Sequence, residues 1–274
     1  MGTLTTNLRS QTDSDEVARM AHKRMIFGQY DGEFSFPTMA GTPGQKDAAA
    51  LNAVQLYLTA SARGAWPGFD ATGTMVVGAG EQKSELSAAL TVQPGGLYRL
   101  DLTTPYGTRS ERVDGTTGSM QSENGNVVKL PALSVASGLI PLPTTLSDAT
   151  TDVRDSLIEG GIVSVDGAQL DKVTFIRPLF SVSRNAAPSG APLISDFFFD
   201  PTSHLLKKSV DAVLLSPEST ARHLRVITYD DYHTVSGTVI PFRFTETVDG
   251  RLVWSIQLAT VIAGPNHDKE YFSF

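Results

Sequence analysis

The run Val235-Ser236-Gly237-Thr238-Val239-Ile240-Pro241-Phe242 follows Tyr229-Asp230-Asp231-Tyr232 and lies downstream of Asp200-Pro201-Thr202. All three belong to a final third, Phe197 to Phe274, that reads as an unbroken series of long antiparallel strands. The clearest is Arg251 to Ala263, where Leu252, Trp254, Ile256, Leu258 and Ile262 share one face and Ser255, Gln257 and Ala259 the other. The aromatic run Phe197-Phe198-Phe199 makes both faces of another strand apolar, as happens when one face packs on helices and the other meets a core or a ligand. A sheet of this extent curls, and short helices capping it leave an apolar interior where binding can occur.

Upstream, the two-residue period begins at Phe69. Leu86, Ala88, Leu90 and Val92 alternate with Glu85, Ser87, Ala89 and Thr91, and Tyr98, Leu100 and Leu102 with Leu97, Arg99 and Asp101. Asp114-Gly115, Asn124-Gly125, Asp166-Gly167 and Asp249-Gly250 tolerate the positive φ of tight hairpin turns, each between strand-like runs. The count is about eleven strands in a meander. Two helices are expected ahead of them: Asp13 to Gly28, and Asp47 to Ala62 with Leu51, Val54, Leu58 and Ala62 on one face. Residues 1–12 are expected to form a tail, and 13–274 a single domain. Leu130 to Glu159 stands apart as a proline-punctuated insert, with short helices at Pro131 to Ala136 and Thr144 to Ile158. Phe180 to Pro192 reads as a long loop.

The 274 residues are 41% hydrophobic, enough for a sizeable core, and the net charge of −7 offers no basic field to nucleic acid. With no cysteine there is no disulfide framework, thiolate nucleophile or cysteine metal site. The most apolar stretch, Leu130 to Leu146, is broken by three prolines and falls short of the ~20 apolar residues of a spanning helix. Gly2 fits a myristoylation pattern only nominally, and no lipidation is read from it; Met1 is followed by polar sequence without the apolar segment of a signal peptide.

No Gly-x-Ser-x-Gly, His-Glu-x-x-His or phosphate-cradling glycine loop occurs, so no catalytic residue, metal or cofactor is expected. His233 after Asp230 and Asp231 could share a metal or act as an oriented base; the favoured reading has these carboxylates at the point where one strand turns into the next, solvated or capping the turn. Asp152, Asp155 and Glu159 with Arg154 read as one solvated helical face. Lys207 and Lys208, in a strand starting near Leu205, should point to opposite faces and protect an edge. The apolar residues are more informative. Phe197, Phe199, Phe242, Phe244, Trp254, Ile256 and Leu258 read equally as plain core or as the lining of a binding cavity.

Ala48 to Ala65, running into Trp66-Pro67-Gly68-Phe69-Asp70-Ala71-Thr72-Gly73-Thr74, resembles the opening of the LolA/LolB-like superfamily, the periplasmic lipoprotein carriers and their relatives. Phe199-Asp200-Pro201-Thr202-Ser203-His204-Leu205-Leu206 and the segment Tyr229 to Phe242 resemble the same group. The resemblance implies a mainly β fold with α, an incomplete, strongly curved antiparallel barrel of about eleven strands with helices covering the open side. It also implies a non-enzymatic, monomeric envelope protein, periplasmic after loss of a signal peptide, that shelters a lipid or lipoprotein acyl chain. The insert near 130–159 would then be a lid carrying Leu133, Leu139, Ile140 and Leu142. An acyl chain gains about 0.8 kcal/mol per methylene removed from water, so an apolar cleft with a lid can hold and release it. Arg99, Arg109 and Arg112 are the strand arginines that stand nearest to a functional arginine of the family, and none is assigned that role. Two alternatives remain. One is a sensor or scaffold that binds an envelope protein partner around a packed interior, and the other a hydrolase using His233 with Asp230 or Asp231.

Overall fold

The computed structural model describes residues 34–39, 41–62, 67–78, 83–115, 117–130, 135, 143–178, 192–214 and 221–274. The expected tail, the helix Asp13 to Gly28, nearly all of the loop Phe180 to Pro192, and Leu133, Leu139, Ile140 and Leu142 lie outside those residues.

One antiparallel sheet of thirteen strands dominates: β1 (Phe69–Val77), β2 (Ser84–Gln93), β3 (Leu97–Thr104), β4 (Gly107–Asp114), β5 (Gly118–Gln121), β6 (Val127–Lys129), β7 (Ser156–Val165), β8 (Ala168–Arg177), β9 (Leu193–Phe199), β10 (Leu206–Val213), β11 (His223–Val235), β12 (Thr238–Val248) and β13 (Arg251–Ala263). Its order is β6-β5-β4-β3-β2-β1-β13-β12-β11-β10-β9-β8-β7, so the chain walks out to one edge, crosses to the other and returns until β13 pairs with β1. The sheet is not closed into a barrel. The expected count of about eleven was low because β5 and β6 are too short to show a period, and because the start of β7 reads as helix. Hairpins at Asp166-Gly167, Ser236-Gly237 and Asp249-Gly250 have positive φ at both turn residues, the geometry whose twist matches the flanking strands.

The register defines an inner face. Phe69, Val92, Tyr98 and Val113 form one row across β1–β4, and Ala71, Leu90, Leu100 and Glu111 the next. On the other arm Ile256, Phe244 and Tyr229 form a row across β13, β12 and β11. Apolar residues of both rows on β1–β4 join those of β8–β13 in a single buried cluster, which requires the sheet to curl until its arms face each other.

Helix α1 (Ala48–Ser61) rests on this face. It buries Ala50, Val54, Tyr57 and Ser61, with Ala62 buried just past its end. Of the expected face, Val54 and Ala62 are therefore in the core, while Leu51 and Leu58 are only partly buried and flank the contact of the Tyr57 ring with that of Phe199, 5.3 Å away. Helix α2 (Pro143–Thr151) adds Leu146 and Ala149 to the same cluster and packs on α1 and β7. Its end is fixed by Lys46, whose ammonium donates to the carbonyls of Ala149, Asp152 and Asp155 at 2.8, 2.9 and 2.9 Å. The helix expected to reach Ile158 therefore stops early, and Ser156 opens β7. Asp155, expected on a solvated helical face, is buried and gripped by the guanidinium of Arg177.

The opposite face carries a smaller cluster of Val165, Leu170, Phe198, Val210, Leu224 and Val226, with the Phe34 ring 5.5 Å from Phe198. On β13 the register with β1 slips between Thr72 and Gly73, opposite an extra Ala259. Beyond that bulge the faces exchange, so Val261 packs on the core and Ile262, expected inside, is exposed.

Candidate functional site

The seven residues proposed as cavity lining all lie in or against the inner-face cluster. Phe197, Phe199, Phe244, Trp254, Ile256 and Leu258 are buried, and Phe242 is partly buried against them. Cross-strand pairing explains the continuity: Val173 pairs with Phe197, Tyr229 with Phe244 and Phe244 with Ile256, while the rings of Phe175 and Phe197 lie 6.2 Å apart.

Set into this apolar face is a group of charges that strand reading did not single out. Arg225 on β11 donates from Nε and Nη2 to the two carboxylate oxygens of Asp211 on β10, at 2.8 and 2.6 Å. A second carboxylate, Glu246 on β12, lies 3.7 Å from Arg225 Nη1 and accepts a hydrogen bond from the Trp254 side chain. Next to them the hydroxyls of Ser209 and Tyr229 meet at 3.1 Å. Glu111 reaches the same group from β4, on the far arm, and is coupled electrostatically to Glu246 and Arg225. Burial pushes both glutamates up to about 7. For Glu111 the facing Glu246 adds to that and Arg225 opposes it; for Glu246 Arg225 opposes burial and Asp211 adds to it. Arg225, which burial alone would discharge, is held protonated by Asp211 and Glu246. The signal available in the sequence was a lone charge in each of two apolar runs, Val210-Asp211-Ala212-Val213 and Leu224-Arg225-Val226-Ile227.

Arg99, Arg109 and Arg112 have other partners. Arg99 pairs with Asp101 and lies over the Tyr271 ring, Arg112 binds the Ser273 carbonyl and lies over Phe274, and Arg109 faces Glu123 at 3.8 Å.

Asp230 and Asp231 stand inside β11, whose turn comes later, at Ser236-Gly237. They do not cap a turn between strands: Asp230 pairs with Arg243, and Asp231 binds His233 Nε2 at 2.8 Å and accepts from Gln257. Among the described residues no three histidine or carboxylate groups are placed to share a metal. Lys208 pairs with Asp166 and lies over Phe34, which packs on the outer cluster, while Lys207 lies 5.9 Å from the ring centre of Tyr232, which packs on the inner one, so the two have partners on opposite faces as expected. They protect no edge, because β10 lies between β9 and β11. Both border one surface cavity of about 260 Å³ with Val165, Leu170, Asp200 and Asp230. Another cavity of about 150 Å³ is bordered by Phe36, Pro37, Pro192, Leu193, Ile194 and Arg222. Neither touches the seven inner-face residues.

No family model matches the chain, and no curated protein does. Solved structures do. A LolA superfamily protein from Nitrosomonas europaea superposes with a TM-score of 0.53 at 10% identity, over 82% of this chain and 97% of that one. A putative outer membrane lipoprotein-sorting protein domain from Vibrio parahaemolyticus gives 0.53 at 10% identity, over 81% and 95%. A DUF1329 family protein from Desulfovibrio piger gives 0.53 at 9% identity, over 82% and 96%. At such identities the likeness is one of fold, and the open thirteen-stranded sheet with helix α1 on its inner face is a LolA-like fold.

Proposed function

We propose that this chain is a non-enzymatic envelope protein, periplasmic and folded as one LolA-like domain, that holds the acyl chain of a lipid or lipoprotein against the inner face of its half-barrel. The observation that carries this reading is the extent of that face: an apolar surface drawn from β1–β4 and β8–β13, facing itself across the curl and overlain by α1. Each methylene moved onto it from water gains about 0.8 kcal/mol. Phe197, Phe199, Phe242, Phe244, Trp254, Ile256 and Leu258 are the residues in this role, with the helices and the insert near 130–159 covering the open side and Leu133, Leu139, Ile140 and Leu142 as its lid. That one fold neighbour is described as a lipoprotein-sorting domain supports the same reading.

A fluorescent fatty acid titrated into the purified protein tests it. Saturable uptake is expected, weakened by Phe199→Leu and Trp254→Leu, substitutions that keep the face apolar. An interior that admits no probe, with lipid absent from native mass spectra of protein taken from its own envelope, would overturn it.

A further inference from the structure

We propose that the inner face selects amphiphiles bearing an ammonium group, held between the carboxylates of Glu111 and Glu246 beside the indole of Trp254. This rests on the reading that an apolar chain occupies the interior.

Charge comes first. Three carboxylates, Asp211, Glu246 and Glu111, share one interior guanidinium, and Asp211 takes that guanidinium in a two-point hydrogen bond. Arg225 is thus neutralised where it stands and offers little to an anion. Glu111 makes no side-chain hydrogen bond or ion pair with any described residue and keeps some surface open, although on the inner face of β4 it lies within electrostatic reach of Glu246 on the other arm. With both glutamates ionised, two negative charges of this arrangement are left without a positive partner.

A second, independent observation lies beside it. Tyr98 shares the inner face, in the register row adjoining that of Glu111, and its hydroxyl is buried without a hydrogen-bond partner. A buried hydroxyl left unpaired is costly, and an ammonium N–H would supply what it lacks. Trp254, cross-strand partner of Glu246, adds an aromatic wall of the kind that holds cationic nitrogen. A bare metal ion fits less well, because the described residues provide no group of three metal-binding side chains. An ammonium carried on an apolar chain meets carboxylate, hydroxyl, aromatic ring and apolar surface on the same inner face.

Calorimetric titration of the full chain with submicellar dodecylammonium, dodecyl maltoside and dodecanoate separates the outcomes. At about pH 8, with both glutamates ionised, the ammonium compound is expected to bind at least about tenfold more tightly than the neutral one, and dodecanoate more weakly than either. Glu111→Gln, nearly isosteric, should erase most of that preference while the maltoside affinity stays, and Tyr98→Phe should reduce it. Lowering the pH to about 5.5 should erase it too, since Glu111 (facing Glu246 and Arg225) and Glu246 (facing Glu111, Arg225, Asp211 and the Trp254 indole) then take up protons. Equal binding of all three compounds, or a preference that survives Glu111→Gln, overturns this inference and leaves the acyl-binding reading standing. Failure of all three to bind overturns both.

Discussion

Arg225 and Asp211 form a two-point ion pair between adjacent strands on the inner face, with both side chains almost wholly removed from water. Burial pushes the Asp211 carboxyl up and the guanidinium pulls it back; because Arg225 keeps its proton, the pair is ionic. Removing one member leaves the other charged and desolvated. Asp211→Ala is expected to cost about 3–5 kcal/mol in urea unfolding, whereas replacing both residues by apolar side chains of similar volume should cost far less. A single substitution as mild as the double one would show that water reaches the pair.

The facing glutamates give the stability a pH dependence of definite sign. Glu111 and Glu246 titrate near 7 in the folded chain, pushed up chiefly by burial from an ordinary value of 4.5. Their contribution is fully present below that ordinary value and is lost as pH rises through 7. Asp47, Asp200 and Asp230 work in the opposite sense, because hydrogen bonds from Gln45, from the Ser203 backbone and from Arg243 hold them below their ordinary 3.8. Their contribution is lost as the pH falls through those lowered values. Stability should therefore peak between about pH 4 and about pH 5 and decline towards about pH 8. Thermal midpoints across that range check this, and Glu111→Gln should flatten the decline; a midpoint that climbs from about pH 5 to about pH 8 would contradict the burial of the two glutamates.

Much of the sheet was legible because its signals are local. Alternation in β2, β3 and β13, together with the Asp-Gly turns, announces strands and hairpins from neighbouring residues alone. What escaped depends on long-range registration. Ile262 leaves the core because Ala259 is inserted opposite a slip in a strand almost two hundred positions away, and no period within β13 reveals it. Ser156 to Ile158 reads as helix until Leu157 is seen paired with Phe175 and Lys46 closing α2. The interior charges were the hardest to see. Glu111 feels the charge of Glu246 although four strands stand between them in the sheet order, and only the curl brings them within electrostatic reach.

The bulge that turns Ile262 outward depends on Gly73. A methyl group there would sit 2.1 Å from the Gln257 carbonyl oxygen and 2.8 Å from the Leu258 Cα, both backbone atoms that cannot swing aside. Gly73→Ala is therefore expected to destabilise the fold by more than about 2 kcal/mol, with the cost read from the urea midpoint. Thr74→Ala, on the same strand and free of any such approach, should change it by less than about 0.5 kcal/mol. Equal effects would mean that β1 and β13 are less closely apposed than their register requires.

The C-terminal residues are fastened to β3 and β4 by rings and cations. Tyr271 stacks on His267 with ring centres 4.2 Å apart and planes 11° from parallel, and the guanidinium of Arg99 lies 4.3 Å from the same ring. His267 in turn binds Asp70 of β1, which accepts from Thr91 of β2, so the clasp ties the chain end to the middle of the sheet. Tyr271→Ala removes both faces of the sandwich and is expected to cost about 1–2 kcal/mol. Tyr271→Phe keeps the ring and loses only a long 3.5 Å contact between its hydroxyl and that of Thr91, so it should be nearly silent. Hydrogen exchange at the β3 and β4 amides distinguishes local from global loss. If the clasp holds this edge of the sheet, Tyr271→Ala will speed exchange there first, while β10–β12, anchored by Arg225 and Asp211, keep their protection.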